Sequence, residues 1–266
     1  MAGRTFEVIA EIEPAVKPDL TRVRHQVGVL APVADAFLIP DNHLGRATVS
    51  SIAVAHEVAD MGVEAIACLN SRDRNRLGFR RDLLTAAAYG VQSFLCVFGD
   101  QPASGGRTND LNVRGMLDEI RTFGGSESFS GHGPFRAGVT TRLAPLPRWK
   151  QEADFLFVQA SFDVEALLRW RDALSFSGKV FAGVLVVAST GMAKTLAETT
   201  GQIELPEDLL AQLSANPDAG VDRCCSMMED IRASGAFDGV HLVAVGRYRT
   251  VAARLEQSGW RRQSSR

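Results

Sequence analysis

Residues 63–100 read VEAIACLNSRDRNRLGFRRDLLTAAAYGVQSFLCVFGD, and this stretch decides the architecture. It opens on an apolar β-type run (63–70) and crosses a polar loop. It then enters a periodic segment, RRDLLTAAAYG, that stops at Gly90. A second apolar run (93–100) follows at once. Both runs are nearly continuous in apolar residues, as parallel strands covered on both faces must be. Strand, helix and second strand make one β–α–β unit.

The unit recurs on both sides. Six more runs share the pattern: FEVIAEIEP (6–14), ADAFLIPDN (34–42), FRAGVTT (135–141), DFLFVQASFD (154–163), KVFAGVLVVAS (179–189) and FDGVHLVAVG (237–246). TVSSIAVAHEVADMG reads as a helix capped by Thr48 and stopped at Gly62, and VEALLRWRDALS as one capped by Asp163. Eight strands, each followed by a helical segment, predict an α/β fold, a single (β/α)8 TIM barrel, a form that takes roughly 250 residues. A doubly wound open sheet is the competitor, and strand count and length favour the barrel. One catalytic domain is expected over 1–266, with loop and helix extensions at about 101–134 and 190–235. Both extensions follow strand ends, where barrels elaborate their sites.

Composition narrows the function classes. Twenty-nine basic residues against 31 acidic ones leave a net charge of −2, so no global field favours nucleic acid or an anionic membrane. The arginines of the tail, Arg261, Arg262 and Arg266, read as a solvated terminus. Cys68, Cys96, Cys224 and Cys225 form no C-x-x-C pair, which fits a reducing compartment. The opening residues lack the form of a signal peptide, and no run approaches the ~20 apolar residues of a membrane span. A cytoplasmic location is expected. His43, His132 and His241 are scattered without metal-ligand spacing, so no metal site is expected.

Barrel enzymes place their chemistry at the C-terminal strand ends. Here those ends carry Glu11, Glu13, Asp41, Asn42, Asn70, Arg72, Asp73, Asp100, Gln159, Phe162 and Asp163. This rim is rich in acids and suits a cationic intermediate or a donor-rich substrate. It holds no Gly-rich phosphate loop. Each residue also has a plainer reading: Asp100 as a turn former after glycine, Asp163 as a helix cap, His56 and Glu57 as a solvent-facing pair. Glu13 is the alternative acid to Glu11, expected to turn away because strand faces alternate.

Four of these segments, in order and at strand ends, resemble the methylenetetrahydrofolate reductases. They are Glu11-Ile-Glu-Pro14, Leu69-Asn-Ser-Arg-Asp-Arg-Asn75, Phe98-Gly-Asp-Gln-Pro102 and Val158-Gln-Ala-Ser-Phe-Asp163. The resemblance implies reduction of 5,10-methylenetetrahydrofolate to 5-methyltetrahydrofolate, within one-carbon metabolism and methionine biosynthesis. By the same resemblance Glu11 is the general acid that opens the ring. Asp100 and Gln159 hold the pterin, Asp100 also lends negative charge, and Phe162 packs near the substrate's rings. Glu57, on the helix after the second strand, is a second candidate that would support Glu11 or orient a cofactor.

The sequence departs from the family where flavin is gripped. Cys68 stands where a histidine is common, and Gly138-Val-Thr-Thr-Arg-Leu-Ala-Pro145 replaces the usual run after the fifth strand. Lys150 is the one match to the family's flavin-phosphate lysine. The chain thus resembles the flavin-independent mycobacterial branch, in which NADH passes hydride directly to the folate and FAD is not expected. Asn42, Thr48, Arg72 and Lys150 are then the candidate NADH contacts. The expected partners are the folate and the nicotinamide cofactor, for a monomer or small homo-oligomer. The alternatives are an FAD-dependent reductase, or a non-catalytic folate-binding or corrinoid-partner barrel.

Overall fold

The computed structural model describes residues 5–101, 105–199 and 205–263. Pro102, the last residue of the third motif, lies outside them. Eight parallel strands close into a barrel in sequence order: β1 (Glu7–Glu11), β2 (Ala36–Ile39), β3 (Glu64–Asn70), β4 (Ser93–Val97), β5 (Arg136–Thr141), β6 (Phe155–Val158), β7 (Lys179–Leu185) and β8 (Gly239–Val243). The fold is therefore the TIM barrel that the alternating runs predict. The seam runs between β1 and β8, with Glu7 opposite Gly239, Ile9 opposite His241 and Glu11 opposite Val243.

Around it stand α1 (Thr21–Leu30), α2 (Ser51–Asp60), α3 (Arg76–Ala88), α4 (Val113–Thr122), α5 (Val164–Ala173), α6 (Thr190–Thr199), α7 (Glu207–Ala215), α8 (Ala219–Ser234) and α9 (Tyr248–Gln257). Gly62 and Gly90 follow α2 and α3 with φ of 79° and 70°, the left-handed stop expected of them. Asp163 caps α5 by accepting from the Ala166 amide at 2.8 Å, as expected. Two expectations are corrected. Thr48 does not cap α2, which begins three residues later at Ser51; the Thr48 hydroxyl instead accepts from the Asn42 amide at 3.2 Å. The β5–β6 connection holds no α-helix either. Pro145 and Pro147 deny amide donors to any helix begun there, and the chain forms only a 3-10 turn at Arg148–Glu152.

Side-chain alternation sorts the apolar residues into two layers. Val8, Ala10, Phe37 and Ile39 face the helices, whereas Ile9, Leu38, Ile66, Leu95, Phe155, Phe157 and Phe181 fill the lumen. Three aspartates tie the strands together from below. Asp35, Asp154 and Asp238, each just before β2, β6 or β8, accept the amides of Val8, Ala137 and Val180 at 2.7, 2.7 and 2.9 Å. Burial pushes the Asp35 carboxyl up, and the Val8 and Gln263 amides act against that shift.

The lumen is filled to the limit at β5. A Cβ on Gly138 would stand 2.0 Å from the Phe155 ring. Gly138→Ala is expected to destabilise the protein by about 1–3 kcal/mol, the usual range for overpacking. Phe155→Leu in the same chain should return part of that loss. Urea denaturation of the two variants checks both.

Candidate active site

Above the apolar floor a cavity of about 730 Å³ opens at the C-terminal strand ends. Leu38, Cys68, Leu95, Phe157 and Leu185 line its lower part. Glu11, Asp41, Asp100, Gln159, His241 and Lys150 bring polar groups to its walls.

Glu11 is the last residue of β1 and follows the inward set Glu7 and Ile9. Its Oε2 lies 3.1 Å from Nε2 of His241, whose ring stacks on Phe157 at 4.9 Å between centroids. Cys68 is buried nearby. Burial first, then the charges of Glu11 and Asp41, hold its thiol well above the usual range. Glu13 does turn away, although not by strand alternation: residues 11 and 13 would share a face if the strand continued. The strand stops at Glu11, and the Glu13 carboxylate pairs with Arg22 on α1.

The acid-rich side is built from loops that brace each other. Asp41 accepts from the Asn70 amide and side chain at 2.9 and 2.6 Å and pairs with Arg74, which also holds Asp82 at 2.7 Å. Asp100 accepts the Leu44 amide at 2.7 Å. That amide is aimed by two left-handed residues, Asn42 (φ 47°) and Leu44 (φ 54°). A left-handed leucine costs about 1–2 kcal/mol, so the surrounding contacts must hold it.

The opposite wall is cationic. Lys150 and Arg142 line it, and the Lys150 amine donates to the Thr140 carbonyl at 2.7 Å. Burial, and after it the like charge of Arg142, push the Lys150 amine down. Neither cation has a carboxylate partner among the described residues. At the mouth, Phe98 is 54% exposed with the Arg107 guanidinium 5.6 Å above its ring.

The residues expected at the site are only partly gathered. Glu11, Asp100, Gln159 and Lys150 share the cavity. Asn42 and Thr48 bond each other and Asn42 also bonds Asp73, so both brace the β2–α2 loop rather than line the cavity. Arg72 is buried, donates to the Asp100 carbonyl and pairs with Asp73. The Arg72 guanidinium holds the Asp73 carboxyl down at about 2. Phe162 packs against the cluster of Val187, Ala193, Leu209 and Leu213. Glu57 is corrected as a support for Glu11. It sits on α2, outside the barrel, and pairs with Arg24 at 2.5 Å.

His241 is the functional candidate that sequence reading misses. A signal for it exists: Gly239, His241 and Val243 form one alternating set on the strand that closes against β1. Among the described residues no group of His, Cys, Asp and Glu could hold a metal ion, and no helix is long and apolar enough to cross a membrane.

Residues 140–259 match the family model of methylenetetrahydrofolate reductase. No curated protein matches the chain. Among solved structures, an uncharacterized protein from Clostridium thermocellum that binds two copies of 5-methyl-5,6,7,8-tetrahydrofolic acid is 12% identical, with TM-score 0.64 and 96% of each chain covered. The spore cortex-lytic enzyme SleL of Bacillus cereus is 11% identical, with TM-score 0.56 and coverage of 95% of this chain and 75% of that one. DmoA from Hyphomicrobium sulfonivorans is 12% identical, with TM-score 0.51 and coverage of 98% and 89%. At these identities the three structures share the barrel fold with this chain. The resemblance in sequence lies in 140–259, the segment carrying Lys150, Gln159 and His241, and is to the methylenetetrahydrofolate reductase family.

Proposed function

We propose that the protein reduces 5,10-methylenetetrahydrofolate to 5-methyltetrahydrofolate, with hydride passed directly from NADH and no flavin. The observation that carries this reading is the meeting of Glu11, Asp100 and Gln159 around one cavity, from three strands far apart in sequence. The family match over 140–259 and the folate bound by the Clostridium thermocellum barrel support the substrate class.

The chemistry follows from the two walls. Glu11, in its protonated form, gives a proton to N10 as the bond from the methylene carbon to N10 breaks and its electron pair goes to N10. The resulting iminium cation on N5 is stabilised by the carboxylates of Asp41 and Asp100. NADH supplies the hydride that the methylene carbon accepts. The apolar floor keeps water from the iminium carbon. Cys68 stays a neutral thiol beside Glu11 and so does not trap the electrophile. Lys150 and Arg142, without carboxylate partners among the described residues, take the pyrophosphate of the dinucleotide. Asn42, Thr48 and Arg72 act on the ligands only through the loops that they brace.

Three outcomes are expected. The purified protein should oxidise NADH in proportion to added methylenetetrahydrofolate, with no flavin absorbance and no gain from added FAD. A flavin spectrum or FAD-dependent turnover would reject direct transfer, and the absence of folate-dependent oxidation would reject the reductase. Glu11→Gln should lower kcat by at least ~100-fold, the common contribution of a general acid, while titration calorimetry still detects folate. Asp100→Asn keeps an oxygen for the Leu44 amide but removes the charge. It should weaken folate binding by roughly 10-fold as well as slow turnover.

A further inference from the structure

We propose that Glu11 and His241 hold one proton as a pair, with His241 the positioning residue that returns a proton to Glu11 after each turnover. The inference rests on the proposed function and goes beyond it by saying how the acid is reset. The reduction consumes one proton: N10 gains it, and the hydride alone restores no proton to Glu11. A carboxylate left on the cavity wall above the apolar floor needs a donor within hydrogen-bond reach.

The geometry supplies one such donor. Glu11 and His241 are 19% and 14% exposed, and their 3.1 Å contact is the only hydrogen bond or ion pair of the Glu11 side chain among the described residues. The Phe157 ring, stacked at an interplanar angle of 28°, fixes the imidazole plane. The other ionisable groups of the cavity are engaged elsewhere or unsuited. Cys68 is held as a neutral thiol, Asp41 is taken by Asn70 and Arg74, and Asp100 by the Leu44 amide. Lys150 bonds the Thr140 carbonyl, while His43 and Arg142 line the cavity without a bond to Glu11.

The step balances without further reactants. In the resting pair one proton lies either on the carboxyl or on the imidazole, and moving it along the contact interconverts the two arrangements. The carboxyl form protonates N10. The pair then takes one proton from solvent through the imidazole.

Two measurements test the pair. In the pH dependence of kcat/KM, between about pH 5 and 8 where imidazoles titrate, His241→Gln should move the alkaline limb by at least about one unit towards acid. Turnover near neutrality should fall by roughly 10- to 100-fold and recover in part at lower pH. A purely structural role for His241 would lower activity at every pH and leave the limb in place, which would overturn the proposal. His241→Asn serves as the second variant should the first fail to fold. The other measurement needs no activity. The imidazole resonance of His241, assigned by its loss in His241→Gln, is titrated by NMR in the wild type and in Glu11→Gln. Removal of the carboxylate should shift the midpoint to lower pH, and an unchanged midpoint rejects the pair. If the wild type shows no folate-dependent oxidation while the NMR midpoint moves, the pair stands and the reductase reading falls.

Discussion

Closure of β8 onto β1 is the constraint on which the rest of the molecule depends. It brings Glu11 and His241, 230 residues apart, to hydrogen-bond distance at one level of the lumen. Neither residue is special locally: one ends a short strand, the other sits in the middle of one. Only the circular pairing makes them neighbours. The same closure seals the lumen over Phe155, Phe157 and Phe181, so the groups above them work against an apolar floor, where charge interactions are stronger than in water.

The cavity walls divide by charge because different loops build them. The β2, β3 and β4 ends interlock through Asp41, Arg74, Asn70, Arg72 and Asp100, a network in which nearly every acid already has a partner. Left-handed Asn42 and Leu44 are the backbone cost of that interlock. The β5–β6 link, lacking an α-helix, instead brings Arg142 and Lys150 to the cavity, neither with a carboxylate partner among the described residues. A molecule with an electron-poor centre and an anionic arm complements both walls at once.

The fold was legible because apolar strands and periodic helices differ in period, and eight alternations admit few architectures. That Glu11, Asp100 and Gln159 meet around one cavity was legible because a barrel exposes its strand ends in one place. What was not legible depends on the third dimension. Asn42, Thr48 and Arg72 have the chemistry of ligand contacts, yet each is spent on a neighbouring loop. Glu57 lies on the outer ring, where Arg24 of α1 meets it. His241 looked like one of several scattered histidines because its partner is at the far end of the chain. Glu13 shows a right outcome with a wrong cause: the strand ended before alternation could act.

The aspartates beneath the barrel carry a consequence for its history. Asp35, Asp154 and Asp238 lock strand register from the end opposite the cavity, each by one carboxylate on a neighbouring backbone amide. Register therefore does not rely on the rim. Loops above can lengthen, lose a helix or reverse their charge without unthreading the strands, so substitutions there are filtered by chemistry rather than by folding. A lineage built this way can drift far in sequence and exchange one bound molecule for another while its scaffold stays recognisable.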